Sequence, residues 1–136
     1  MNRSTVLDNL PVGPSDFVVE IGAGPMPFRH TKLIVDKYPF DNSERHGDIA
    51  NVAPVIKADA ARLPLADGAC DVLFVSHVLE HIDEPRRFLE EARRCAKRIY
   101  LEFPTALREM MYAWPFHRWL IEFRENQLVF YKNDVP

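Results

Sequence analysis

Short apolar runs recur along the chain, and most are bounded by Gly, Pro, Asn or Asp. They are rich in β-branched and aromatic residues and are hydrophobic almost throughout. This pattern is typical of parallel strands buried on both faces, because a half-exposed strand would alternate with polar residues. The pattern predicts five strands, at 17–21, 32–36, 54–58, 71–76 and 98–103.

One segment has a clear helical period. Across 84–97, apolar residues fall at i, i+1, i+4 and i+7, which places them on one face, and Glu and Arg cover the remainder. Asp83 is the predicted N-cap, and Pro85 suits the first turn. The apolar positions are Phe88, Leu89, Ala92 and Cys95.

The remaining chain is predicted to contain little helix. The linkers 22–31 and 37–53 have many Pro, Gly, Asn and Asp residues and no helical stripe, so we expect loops or single turns. A short helix is expected at 105–112. Alternating residues at 117–123 and 127–131 predict a terminal β-hairpin.

A glycine turn directly follows the first predicted strand. Gly22 and Gly24 would let the backbone approach a ligand, and Asp36 closes the second strand, where it could accept the hydroxyls of a ribose. A dinucleotide fingerprint is not met. Its third glycine position holds Pro27, and Asp36 follows Gly24 by twelve residues instead of about twenty. Glu20 would repel a pyrophosphate but could attract an ammonium group, directly or through water.

Four segments in order resemble the motifs of class I S-adenosylmethionine-dependent methyltransferases. V-V-E-I-G-A-G-P at 18–25 looks like their motif I, and it is followed by Asp36 and by Asp59 after the third strand. D-V-L-F-V-S-H-V-L-E-H at 71–81 is similar to a segment of the type 11 group. The resemblance covers about residues 16–103, and the tail looks like that of compact bacterial members.

The resemblance implies a single S-adenosylmethionine-binding domain over 1–136. Its fold would be α/β, a Rossmann-like three-layer sandwich with a mostly parallel seven-stranded sheet in the order 3-2-1-4-5-7-6. The helices would be reduced, because the two linkers lack a helical pattern. In such sheets the ligand lies where the strand order reverses, here between the first and fourth strands.

The resemblance also implies how the cofactor would be held. Asp36 would bind the ribose, Asp59 the adenine amino group and Ala60 N–H a ring nitrogen, while Leu63 would cover the ring. The glycine turn would pass the methionine part. The expected cofactor-binding residues are Glu20, Gly22, Ala23, Gly24, Asp36, Asp59, Ala60, Leu63, Ser76 and His77.

Each of these residues also has a purely structural interpretation. The glycines could simply allow a tight turn, and Asp36 and Asp59 could be ordinary acids at strand ends. Glu20 could be a buried acid satisfied by backbone amides, since an uncompensated buried charge is costly.

His77 is the candidate general base, because an imidazole titrates near neutral pH. Its alternative role is packing or hydrogen bonding at the pocket wall.

Two further clusters contain residue types that could carry chemistry. His77 and His81 are four residues apart with Glu80 nearby, but the zinc signature H-E-x-x-H needs the Glu beside the first His. We therefore predict no metal site. An aromatic cluster near the C-terminus could close over an apolar acceptor, or pack on the sheet or on a second subunit. It comprises Tyr112, Trp114, Phe116 and Trp119.

Composition narrows the class of protein. Apolar residues make up 47% of the 136 residues and the net charge is −3, which disfavours nucleic acid as an electrostatic partner. Cys70 and Cys95 have neither metal nor redox spacing, and no stretch is long enough to span a membrane. We expect a cytoplasmic protein with a small-molecule acceptor and no membrane partner. The aromatic C-terminal segment would suit a homodimer.

The sequence therefore predicts a methyltransferase that transfers a methyl group from S-adenosylmethionine to an unidentified, small-molecule acceptor. The alternative is a non-catalytic cofactor-binding or regulatory module with the same fold. An NAD-dependent oxidoreductase is poorly supported, since Pro27 occupies the third glycine position.

Overall fold

The structure, a computed structural model, describes residues 3–134. Its elements follow the order α, β, β, β, β, α, β, α, β, β, with a 3₁₀ turn before the second helix. They are α1 Arg3–Asp8, β1 Val18–Ile21, β2 Thr31–Asp36, β3 Val55–Lys57, β4 Cys70–Ser76, the 3₁₀ turn Leu79–His81, α2 Pro85–Cys95, β5 Ala96–Glu102, α3 Ala106–Tyr112, β6 Trp119–Arg124 and β7 Gln127–Lys132.

Five strands form a parallel sheet in the order β3-β2-β1-β4-β5. The strand order reverses between β1 and β4, as expected for the predicted fold. Val18, Val19 and Ile34 are fully buried, in agreement with the continuous apolar runs from which the strands were predicted. The Rossmann-like fold class is therefore confirmed.

The two faces of the sheet are covered differently. On one face, Leu73 and Val75 of β4 pack against Phe88 of α2 in the main core. On the other, Phe28 stacks on Phe74 with ring centroids 4.5 Å apart, beside Leu7 of α1. A loop with a buried aromatic side chain thus covers part of the face that a full helix covers in larger sheets of this type.

The structure corrects the expectation of one seven-stranded sheet. Within residues 3–134, β6 and β7 pair with each other and form a separate two-stranded antiparallel sheet. The hairpin packs on the 3₁₀ turn instead, where Arg118 N donates to Glu80 O at 2.7 Å. Ile121 of β6 is 1% exposed in the main core. Burial of this apolar face holds the hairpin there without sheet hydrogen bonds to β5.

Two details of α2 also differ from expectation. The helix ends at Cys95 because Ala96 already pairs with Cys70 in the β4–β5 ladder. The N-cap residue is Glu84, without a side-chain capping bond, and Asp83 instead pairs with Arg118 Nε at 2.6 Å.

Among the described residues, no helix is both long and apolar enough to cross a membrane.

Candidate active site

A cavity of about 360 Å³ opens where the carboxyl ends of β1, β2 and β3 meet the tip of β4. Each of these strands ends at the cavity with a residue that the sequence had singled out. The parallel arrangement brings them together, because all the carboxyl ends lie at one edge of the sheet. Five predicted site residues line the cavity: Gly22, Asp36, Asp59, Ala60 and His77.

The cavity wall is predominantly acidic. Six carboxylic acids line it, against three cationic side chains, which gives the lining a formal charge of −3. Such a wall attracts a cation and repels a pyrophosphate. The acids are Asp36, Asp41, Glu44, Asp59, Asp83 and Glu84, and the cations are Lys37, Arg45 and Arg118.

Gly22 makes the turn out of β1 at the cavity wall. Its φ is 62°, in the left-handed region, and its N–H donates to Val35 O at 2.9 Å. A Cβ at this position would lie 2.7 Å from Cγ2 of Val78. Both the backbone angle and the packing therefore require glycine here.

Asp36 lies at the end of β2 and is 9% exposed. Its Oδ1 accepts a hydrogen bond from Tyr38 N at 2.7 Å, and its Oδ2 accepts one from Arg45 Nη1 at 2.9 Å. A carboxylate has about four lone-pair sites, so two acceptor sites remain for a ligand's hydroxyls. The two bonds hold the carboxylate in one orientation at the cavity wall.

Asp59 follows β3 and pairs with Lys37 at 2.8 Å between Oδ2 and Nζ. Its Oδ1 accepts from Ala61 N at 2.8 Å. The hydrogen bond from Lys37, together with that from the Ala61 amide, lowers the pKa of the Asp59 carboxyl below its usual value. The acid is therefore an ionised acceptor at neutral pH, suited to an amino group.

His77 stands just beyond β4 with a φ of 53°, an uncommon angle for a residue other than glycine. Its N–H donates to Glu102 O at 2.8 Å, which ties this backbone to β5. The two ring nitrogens lie near carboxylates, Nδ1 at 3.4 Å from Glu80 Oε1 and Nε2 at 3.6 Å from Glu102 Oε1. Strained backbone of this kind is often found at functional sites.

The expected site residues Glu20, Ala23 and Gly24 do not line this cavity. Glu20 Oε2 accepts from Phe28 N at 2.8 Å, and also from the Thr31 hydroxyl. A direct contact with a ligand's ammonium group here is therefore not supported. The interpretation as a buried acid, satisfied by a backbone amide and by a hydroxyl, agrees with these bonds. Of the glycine turn, only Gly22 lies in the cavity wall, and Ala23 and Gly24 lie outside it.

Leu63 and Ser76 also lie outside the cavity lining. Leu63 is 4% exposed in the main core, and its N–H donates to Glu91 Oε2 of α2 at 2.8 Å. The contact of Leu63 with the adenine stays a prediction, and the structure places this side chain beneath α2. Ser76 Oγ donates to Glu102 Oε2 at 2.8 Å, so it braces the neighbouring strand.

The sequence did not indicate Lys37, Arg45 or Glu102 as part of the site. Lys37 directly follows Asp36, and its position at a strand end was the available signal. Arg45 lies in a loop without periodicity, and nothing local links it to Asp36. Glu102 reaches His77 only because β5 pairs with β4. These contacts form between segments that are brought together only by the fold.

The aromatic cluster divides into two parts. Phe116 stacks on His81 with ring centroids 5.7 Å apart, and Trp119 Nε1 donates to a backbone carbonyl beside the same 3₁₀ turn. Tyr112 and Trp114 are 60% and 39% exposed. Packing on the domain therefore accounts for the first two rings, and the second two remain available for another contact.

A family comparison agrees with this geometry. The sequence model described as "Methyltransferase domain", type 11, matches residues 26–98, which is more than half of the chain. The chain belongs to the type 11 methyltransferase domain family. The matched segment includes Asp36, Asp59 and His77 and begins after Gly22 and Gly24. The family that the sequence motifs resembled is thus confirmed.

Solved structures support the fold of this methyltransferase domain. A SAM-dependent methyltransferase from Thermotoga maritima, described as a possible histamine N-methyltransferase, is 28% identical, with a TM-score of 0.52 over 69% of this chain and 44% of that one. A SAM-dependent methyltransferase from Archaeoglobus fulgidus is 24% identical, with a TM-score of 0.61 over 85% of this chain and 61% of that one.

A third structure, a SAM-dependent methyltransferase from Aquifex aeolicus, is 24% identical, with a TM-score of 0.51 over 69% of this chain and 57% of that one. The domain thus spans between 44% and 61% of the length of these three proteins. No protein of curated function is similar enough to count as a match.

Proposed function

We propose that this methyltransferase domain binds S-adenosylmethionine in the acidic cavity and transfers its methyl group to a small-molecule acceptor. The observation that carries the proposal is the pair of carboxylates, Asp36 and Asp59, at consecutive strand ends of one cavity. They suit a ribose and an amino group, while the net negative wall suits a cationic ligand without phosphates. The volume is within the usual range for small-molecule pockets.

The residues of the chain would hold and align the cofactor. Asp36 accepts the ribose hydroxyls with the two lone-pair sites that Tyr38 and Arg45 leave open. Asp59 accepts the adenine amino group. When bound, the cofactor supplies a methyl group already activated by its positive sulfur. The protein's contribution is then mainly alignment and exclusion of water.

Isothermal titration of the full chain with S-adenosylhomocysteine tests the cofactor assignment. We expect saturable binding to one site per chain. NAD serves as the matched ligand, because it carries the same nucleoside with a pyrophosphate, and we expect no comparable binding. Folded protein that binds nothing at millimolar S-adenosylhomocysteine would remove the basis of the proposal.

His77 is the proposed proton acceptor, where the methyl acceptor must lose a proton. His77→Gln should leave S-adenosylhomocysteine affinity within a factor of about two, while methyl incorporation falls by about 10²-fold or more, the usual contribution of a general base. The measurement is transfer from labelled cofactor into the small-molecule fraction of a cell extract, with His46→Gln, an exposed histidine, as the control. Equal incorporation by both variants would contradict the base role.

Binding of the cofactor without transfer to any acceptor in the extract would favour the alternative, a non-catalytic module.

We place the domain in the cytoplasm, where Cys70 and Cys95, both free and buried, would stay reduced.

A homodimer through the aromatic C-terminal segment is also part of the proposal. Its support is the exposure of Met110, Met111 and Tyr112, at 71%, 71% and 60%. Light scattering after size exclusion should give, for the wild type, twice the single-chain mass of 15.8 kDa. For Met111→Glu it should give the mass of a single chain. A wild-type chain that elutes with the mass of one chain would contradict it.

A further inference from the structure

A cluster of acidic and histidine side chains lies at the edge of the cavity, where the 3₁₀ turn meets the segment before β6. Glu80 and His81 come from the turn, and His117 comes from the segment after α3. One ligand atom from each of the three lies within 4.8 Å of the other two. The rings of His81 and His117 are nearly perpendicular, with centroids 4.6 Å apart.

Glu80 is the unusual member of this cluster. It is 1% exposed, and neither carboxylate oxygen has a hydrogen-bond partner among the described residues. The nearest basic atom is His77 Nδ1, 3.4 Å from Oε1, beyond the range of an ordinary hydrogen bond. A buried carboxylate in this state is costly unless a cation compensates it.

The two histidines are oriented by further carboxylates. His117 Nδ1 lies 2.7 Å from Glu109 Oε2, and His81 Nδ1 lies 3.1 Å from Glu44 Oε2. Glu109 is itself 2% exposed. When Nδ1–H donates to a carboxylate, Nε2 carries the lone pair that a metal ion needs. Carboxylates behind ligating histidines are the usual outer layer of a protein metal site.

We propose that Glu80, His81 and His117 bind a divalent first-row metal ion, with Zn²⁺ as the best match. Two imidazoles and one carboxylate are a ligand set of known zinc sites, whereas Mg²⁺ and Ca²⁺ prefer oxygen ligands alone. The ion would also compensate two buried carboxyl side chains, Glu80 and Glu109, which are 1% and 2% exposed.

The expectation of no metal site came from a local pattern. H-E-x-x-H requires both histidines on one helix, and here the second ligating histidine lies 36 residues beyond His81. Packing of β6 against the 3₁₀ turn brings His117 to Glu80, including the bond from Arg118 N to Glu80 O.

The ion would fasten the C-terminal hairpin to the tip of β4. His81 and Arg118 both line the cavity, so the metal would stand at its wall and hold the segment that contributes Arg118 to it. This role goes beyond cofactor binding and does not depend on it. The site can be tested on the apo protein.

The test is isothermal titration of ZnCl₂ into the full chain after treatment with a chelator, without cofactor. We expect one ion per chain and a rise in the melting temperature upon addition of Zn²⁺. Glu80→Gln keeps the shape of the side chain and removes its charge, and His117→Ala removes a ligand. Each should weaken binding by at least about 10- to 100-fold.

His46→Ala is the matched control, since this exposed histidine lies outside the cluster, and it should bind Zn²⁺ as the wild type does. The proposal is overturned if the wild type takes up no ion, or if Glu80→Gln binds Zn²⁺ with unchanged affinity. Because Glu80→Gln removes a buried charge, it should fold even where His117→Ala does not. S-adenosylhomocysteine binding by the same samples shows whether the cavity is intact, so failure of one site is distinguishable from failure of the other.

Discussion

Replacing Asp36 with alanine is expected to weaken S-adenosylhomocysteine binding by about 1–3 kcal/mol, or roughly 5- to 150-fold in Kd. The reason is that the ribose hydroxyls lose a charged acceptor in a partly desolvated wall, where water replaces it poorly. The carboxylate is 9% exposed and already oriented by Tyr38 N and Arg45. Isothermal titration measures the change.

Asp48→Ala is the matched control for Asp36→Ala. Asp48 is an exposed acid in the loop after β2 and does not line the cavity, so its removal should leave affinity unchanged. Asp36→Asn adds a second comparison, since it keeps the volume and an acceptor for Tyr38 N but removes the charge. Unchanged affinity in folded Asp36→Ala protein would refute the ribose assignment.

Gly22→Ala is expected to lower the free energy of unfolding by about 2–4 kcal/mol. About 1–2 kcal/mol comes from placing a Cβ on a left-handed backbone, and the rest from overpacking against Val78. The new Cβ would lie 2.7 Å from Val78 Cγ2. Urea unfolding followed by circular dichroism measures the loss.

Gly68→Ala separates the two contributions to this effect. Gly68 has the same φ of 62°, but a Cβ there meets nothing within 4 Å. We expect it to cost only the backbone part, about 1–2 kcal/mol. The double variant Gly22→Ala with Val78→Ala should recover part of the packing loss. If Gly22→Ala and Gly68→Ala cost the same, the clash with Val78 plays no role.

The strands were predictable because their pattern is local. β1, β2 and β4 lie within one residue of the predicted runs, since a fully buried parallel strand must be apolar at consecutive positions. The absence of helix at 22–31 and 37–53 likewise followed from Pro and Gly, which act on their own backbone.

The incorrect expectations each involve a competing long-range contact. Asp83 had the composition of an N-cap, yet Arg118 pairs with it from 35 residues away. The hairpin was expected to extend the main sheet, but its strands pair with each other and Ile121 is buried in the main core. Local propensity cannot tell whether such a residue takes its local role or makes a contact with a distant segment.

The candidate site shows the same division. Asp36 ends a predicted strand, and Gly22, Asp59 and His77 each directly follow one, so parallel pairing was enough to place them at one edge. Lys37 on Asp59 and Arg45 on Asp36 were not foreseen, because each pair forms through loop geometry.

From the sequence alone came the chemical types along one sheet edge and the motifs that resemble the family, and that resemblance implied where the strand order reverses. These depend on periodicity and on short motifs, which are properties of neighbouring residues. Tertiary structure alone decided which carboxylates are paired, where the hairpin packs, and that His117 meets Glu80 and His81. Those contacts join distant segments, and their free energy depends on burial and orientation that exist only in the folded chain.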